Sequence, residues 1–347
     1  MSNCTTTSTS INSLYILKCV CAILVVFIHL PGLSCEAIVL QPLMRIGVPS
    51  FLMISGYFLF SNGKLDSQSI RKQIKKLLKL MLVVYSVYLS FSFINRACMG
   101  MPLIPEHWRN FGFWIRLLFV GDGIDSILWY LTSYLEALAI LYFLSKSSGD
   151  RRMAKLLFIS APILLCVAVL FNRYSFVISS NDEFDIALSR NAITVALPCL
   201  GLGGGIKHIQ DIVSKRFSEC IMLTCVMLAY FEYGLLHHYG AKGSGADFNL
   251  MTFPCTASVF LFCLKYPETP FIPAIVKQTM ISIGKYHSGN IYLYHSLTFH
   301  WVLLMMFYGV PIVWMQNAEC VITLVVIFSI CQTYLINKTW IHPKSNL

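Results

Sequence analysis

Long apolar runs recur along this chain at the length that crosses a bilayer. They fall at about 11–31, 43–61, 77–95, 125–144, 154–171, 191–206, 218–237, 250–265, 280–308 and 318–337. In hydrocarbon the backbone must satisfy its own polar groups, which a helix does within one segment. The expected fold is therefore an all-α integral membrane protein, a bundle of about ten transmembrane helices. It is read as a single domain over residues 1–347, with no separate soluble domain before or after it. Two runs are irregular. The 191–206 run is short and carries Gly201, Gly203, Gly204 and Gly205, and the 280–308 run is long enough to be expected to bend. Residues 106–120 read as a re-entrant or interfacial piece.

Composition supports this. Of 347 residues, 56% are hydrophobic and 12% charged, too apolar for a chain whose exterior faces water. Cys19, Cys21, Cys166, Cys225, Cys263 and Cys331 sit inside apolar runs, where thiols pack as small hydrophobes rather than form a disulfide framework. A net charge of +10 suits nucleic acid or an anionic membrane surface. The basic residues lie in short loops between apolar runs, which selects membrane lipid as the partner and excludes nucleic acid. No basic residue precedes Lys18 and no cleavage site is evident, so the first run reads as an uncleaved helix.

Alternate loops differ in basic content. One set holds 17 residues, including Arg71, Lys72, Lys75, Lys76, Lys146, Lys215 and Arg216; the other holds six, Arg96, Arg109, Arg116, Arg173, Arg190 and Lys242. The positive-inside rule puts the first set, and with it both termini, in the cytoplasm. The acceptor patterns at Asn3 and Asn337 then fall on the cytoplasmic side and are discounted for glycosylation.

The first run reads LYILKCVCAILVVFIHLP. Lys18 and His29 are 11 residues apart, nearly three helical turns, so both lie on one face roughly 16 Å apart. A charge at membrane depth is costly and usually faces a polar interior. The bland alternatives are a snorkelling lysine and a helix-end histidine. The second run opens RIGVPSFLMISGYFLF, with Ser55-Gly56 inside it, a small pair expected to let helix two approach helix one closely. Arg45 is expected near His29, because only the short loop 32–43 joins the two helix ends.

Together these pieces resemble the membrane acyltransferase 3 family. Its members carry Arg-x10-His in helix one, where this chain has Lys18 and His29, and then a VPxFFxISGY segment, matched by Val48 to Tyr57. SIRKQIKKLLKLM, LWYLTSYLEAL and IGKYHSGNIYLYHSL follow in the family's order, so the resemblance spans nearly the whole chain. Two positions depart: Lys18 replaces the family arginine, and Tyr15 stands where many members carry an acid. The resemblance implies an O-acetyltransferase of a bacterial inner membrane. It would use acetyl-CoA as co-substrate, hold no bound cofactor, and act on a surface or lipid-linked glycan.

On that reading His29 is the general base, or else a nucleophile forming acyl-His29; the sequence leaves both open. Lys18, Arg45 and Ser55 are candidate donors to the oxyanion. Tyr57, Trp129 and His295 are further substrate candidates. Arg71, Lys72, Lys75 and Lys76 serve either as a lipid anchor or as contacts for CoA phosphates. His237-His238 lacks partners at metal-ligand spacing, so no metal is expected. GLGGG lacks the strand-turn-helix context of a nucleotide loop and reads as a close-packed or broken helix. The rival readings are a transporter or flippase and a non-catalytic family member.

Overall fold

The computed structural model describes residues 11–29, 35–61, 64–147, 150–178, 184–240, 247–308 and 324–331. The described elements are helical, apart from a two-residue antiparallel pairing of β1 (Phe60–Ser61) with β2 (Lys64–Leu65). In order the helices are α1 (Asn12–Ile28), α2 (Cys35–Met44), α3 (Gly47–Leu59), α4 (Ser67–Cys98), α5 (Phe111–Phe119) and α6 (Trp129–Ser147). They continue as α7 (Asp150–Leu170), α8 (Leu197–Ile209), α9 (Lys215–His238), α10 (Thr252–Lys265), α11 (Ala274–Tyr286) and α12 (Ser288–Phe307), with 324–331 also helical.

Among the described residues, five segments are long and apolar enough to cross a membrane: Leu40–Leu59, Ser67–Cys98, Ser126–Lys146, Ile186–Ile209 and Lys215–His238. Asn12–Ile28, Lys155–Leu170 and Thr252–Lys265 are shorter apolar helices. This is an all-α membrane-type fold. Their burial sorts them into layers. The apolar window of Leu40–Leu59 is 72% buried, whereas those of α4 and α9 are 22% buried and present Leu82, Met227 and Phe231 outward. An apolar helix face left uncovered by protein is the face that lipid covers.

The centre of the bundle is made by α1, α3 and α8, and small residues set its geometry. A Cβ on Gly56 would overlap the backbone of Leu200, and one on Gly203 would overlap the Met53 carbonyl. Gly56 therefore allows contact with α8, not with helix one as its position suggested. The approach to α1 is made nearer the start of α3, where a Cβ on Gly47 would stand 2.8 Å from Val25 and 3.2 Å from the Cys21 carbonyl. The glycine-rich run is thus a close-packed helix, entered through a π-helical turn at Ala192–Ala196.

Other boundaries differ from the apolar pattern for identifiable reasons. Part of the expected loop 32–43 is helical, because α2 begins at Cys35. The break comes instead at Arg45-Ile46. Pro49 has no N–H to give the Arg45 carbonyl four residues back, and its ring crowds that carbonyl. The chain turns there, and Ile46 N–H bonds the Leu43 carbonyl at 3.3 Å. The basic stretch at 71–79 lies inside α4 rather than before it. That helix starts at Ser67, where the Asp66 side chain accepts from Gln68 N–H. The 280–308 run is two helices meeting at His287. Ser288 Oγ donates to the Gly284 carbonyl at 2.8 Å across the junction. Residues 106–120 form a 3₁₀ turn and the short α5, which exposes Phe111, Leu118 and Phe119 as an interfacial helix would. Of the 318–337 run, only 324–331 is among the described residues; Asn3, Asn337 and Lys242 lie outside them.

Candidate active site

Two cavities open on opposite ends of α1. The first gathers around its C-terminal end. His29 is the residue after the last helical one, exposed at the cavity rim, and its ring centroid stands 5.0 Å from that of His295 on α12. His295 is buried. Its Nδ1 meets the Tyr292 carbonyl at 2.7 Å and the Ile291 carbonyl at 3.2 Å. Carbonyls only accept, so Nδ1 carries the proton and Nε2 the lone pair. That Nε2 has no hydrogen-bond partner among the described residues.

Charge enters this cavity from three separate places in the chain. Arg45 comes from the turn that Pro49 enforces. Arg190 precedes the π-turn, and Asp247 precedes α10. Arg45 Nη1 donates to Asp247 Oδ1 at 2.8 Å, and Arg190 grips Oδ2 at 2.5 Å. All three side chains are at most 20% exposed. Burial alone pushes the Asp247 carboxyl up, but the two guanidiniums outweigh it and hold it below the usual carboxylate range. Asn172 fixes the loop, its Oδ1 accepting from the N–H groups of Asp247 and Phe248 at 3.1 Å. Arg190 also lies over the Trp129 ring, 5.8 Å from its centroid. The cavity these groups line measures about 50 Å³.

The second cavity, about 300 Å³, lies nearer the N-terminal end of α1 and is lined by Lys18, Lys76 and Lys285. No carboxylate is among its described lining residues. Three ammonium groups without a counter-charge make the chamber receptive to an anion. Ser55 lines it too, with its hydroxyl donated to the Phe51 carbonyl at 2.9 Å. Its oxygen keeps acceptor capacity. Gln73, Tyr130 and Tyr134 complete the wall, and Gln73 Nε2 donates to Tyr134 Oη at 3.2 Å. α11 presses on α1 here, since a Cβ on Gly284 would overlap the Tyr15 backbone. That contact brings Lys285 into the chamber that Lys18 lines. Among the described residues no three His, Cys, Asp or Glu side chains cluster as metal ligands would.

Residues 11–337 match the acyltransferase domain that defines the acyltransferase 3 family. The chain belongs to this family. It is a membrane acyltransferase, and the match covers every described residue. No curated protein and no solved structure is detectably similar to it.

In this acyltransferase the residues singled out from sequence divide between the cavities. His29, Arg45 and Trp129 line the small one, with His295 against His29. Lys18, Ser55 and Lys76 line the larger. Arg71, Lys72 and Lys75 are exposed on α4 and line neither. Tyr57 also lines neither. Its hydroxyl donates to Gln210 Oε1 at 3.2 Å, and Lys207 donates to its carbonyl at 3.2 Å. Tyr57 thus ties α3 to α8. Arg190, Asp247, Lys285 and Tyr292 are among the cavity residues given no role from sequence. A usable signal existed for two of them, since Arg190 and Asp247 are lone charges within a few residues of the start of an apolar run.

Proposed function

We propose that this acyltransferase moves an acetyl group from acetyl-CoA to a hydroxyl of a surface or lipid-linked glycan, in a bacterial inner membrane. One observation carries the reading. A chamber with three ammonium groups and a cavity with a histidine pair open at opposite ends of one helix. The excess of basic residues in one set of loops supports a cytoplasmic position for the ammonium chamber and for both termini. CoA is a cytoplasmic polyanion, and its phosphates suit Lys18, Lys76 and Lys285. Arg71, Lys72 and Lys75 form an outer basic apron on α4 for CoA or anionic lipid.

The acceptor hydroxyl gives its proton to His29 as its oxygen attacks the thioester carbon. A C–O bond forms, and the carbonyl becomes an oxyanion. Arg45, Arg190 and Asp247 together carry one net positive charge, placed to offset it. The C–S bond then breaks, and the CoA thiolate withdraws towards the ammonium groups. The same groups serve if acetyl rests first on His29 before reaching the acceptor.

Membranes carrying the protein and its native glycolipids, given radiolabelled acetyl-CoA, are expected to pass label to the glycan fraction. Mass spectrometry of surface glycans with and without the gene would locate it. No label transfer from acetyl-CoA overturns the donor assignment, and label in a fraction free of glycan overturns the acceptor.

Lys18 gives a second test. If the chamber needs positive charge at that depth, Lys18→Met removes most transfer. Lys18→Arg should retain more than Lys18→Met, though less than wild type, because a broad guanidinium must fit where a compact ammonium sat. The comparison is made at equal membrane abundance, since an intramembrane charge also affects insertion. Wild-type transfer by Lys18→Met would make Lys18 a snorkelling bystander.

A further inference from the structure

Among the described residues, Tyr292 alone lines both cavities. Its side chain is almost fully buried, at 4% exposure. On the chamber side its ring packs against Tyr130 at 5.0 Å and Phe51 at 6.1 Å, both roughly edge to face. On the other side its hydroxyl donates to the Ile127 carbonyl at 3.3 Å, and Ile127 lines the small cavity. The ring is thus part of one wall with a substrate space on each face. Three residues later on the same helix comes His295, whose Nδ1 proton is held by the Tyr292 carbonyl.

Resting on the acetyl-CoA reading above, we infer that the Tyr292 ring is the gauge of acyl length in this enzyme. A thioester entering through the ammonium chamber meets the Phe51–Tyr130–Tyr292 collar with its acyl end leading. The space beyond the ring is about 50 Å³ and is shared with the acceptor hydroxyl. Roughly 10–15 Å³ of such space admits one water molecule, so it holds a group of only a few heavy atoms. An acetyl group has three heavy atoms, and butyryl adds two methylenes. The collar is aromatic and close-packed, so it yields little to the extra length.

The experiment compares acetyl-CoA with butyryl-CoA as labelled donors, in membranes carrying the protein and its native acceptor. Wild type is expected to prefer acetyl. Tyr292→Ala opens the wall and should raise the butyryl-to-acetyl ratio by about tenfold or more, since each methylene a pocket excludes is worth roughly 10- to 200-fold. Tyr292→Phe keeps the ring and should leave the ratio within about threefold of wild type, as it loses only one long, weak hydrogen bond. Tyr130→Leu loosens the collar from α6 without altering α12, and should move the ratio the same way as Tyr292→Ala even where that variant inserts poorly.

An unchanged ratio in both Tyr292→Ala and Tyr130→Leu overturns the assignment. So does loss of all transfer in both variants at normal abundance, because a gauge can be removed without removing the chemistry. Equal use of acetyl and butyryl by wild type overturns it too, while leaving acyl-CoA as the donor. Wild type that transfers neither group removes the donor reading itself.

Discussion

His29→Ala is expected to lower acyl transfer by about two to four orders of magnitude, the usual scale for removing a general base, while the protein still inserts. The expectation rests on position. His29 ends α1 at the rim of the cavity that also holds Arg45, Arg190 and Asp247, where an acceptor hydroxyl can reach it. His295 is no substitute. It is buried, and its Nδ1 proton is tied to two backbone carbonyls. Only its Nε2 is unpartnered among the described residues, on a ring 5.0 Å from that of His29. Such a neighbour suits orienting His29, or briefly sharing its proton, better than meeting the acceptor directly. Transfer from labelled acetyl-CoA, normalised to membrane abundance, reads the effect. Near-wild-type turnover by His29→Ala would reduce His29 to a helix-end polar residue and move the chemistry elsewhere.

What the sequence made legible follows from what apolar periodicity encodes. A run such as Leu14 to Ile28 announces a helix because lipid and core both demand apolar faces. The pattern does not say where a helix breaks when both sides of the break are equally apolar. Arg45 shows this: the proline four residues on ends the hydrogen bonding there, while apolar residues continue on both flanks. His287 does the same between α11 and α12. Small residues pose a related difficulty. Ser55-Gly56 signalled close helix contact, and the contact exists, but its partner is α8, about 145 residues away, and nothing local names it.

The site divides along the same line. His29, Lys18, Arg45 and Trp129 were visible as polar or aromatic residues at the ends or interior of apolar runs. Asp247 shows in the sequence only as a lone charge ahead of an apolar run; its meaning comes from two arginines that lie 202 and 57 residues away. Lys285 reads locally as one more loop cation. It reaches Lys18's chamber only because Gly284 lets α11 lie against α1.

Asp247 is also where stability and activity are expected to fail together. Asp247→Ala leaves two nearly buried guanidiniums facing each other without their shared carboxylate. Removing one partner from such a group typically costs about 3–5 kcal/mol, because the remaining charge stays buried and uncompensated. The variant should therefore accumulate poorly, or unfold at clearly lower temperature in detergent. The surviving protein should transfer acyl groups slowly, since Arg45 loses its anchor in the His29 cavity.

A second variant separates the two effects. Replacing the trio with apolar residues of similar size (Arg45→Met, Arg190→Met, Asp247→Leu) removes all three charges at once. Such replacements are often neutral or stabilising. The triple variant should recover much of the thermal stability lost in Asp247→Ala, yet stay deficient in transfer, because the cationic group offered to the oxyanion is gone. Thermal unfolding in detergent and labelled transfer in membranes measure the two quantities independently. If the triple variant regains both stability and turnover, the Arg45–Asp247–Arg190 group is only a clasp between loops. If Asp247→Ala keeps wild-type stability, the ion pairs contribute little and their burial carries no penalty worth compensating.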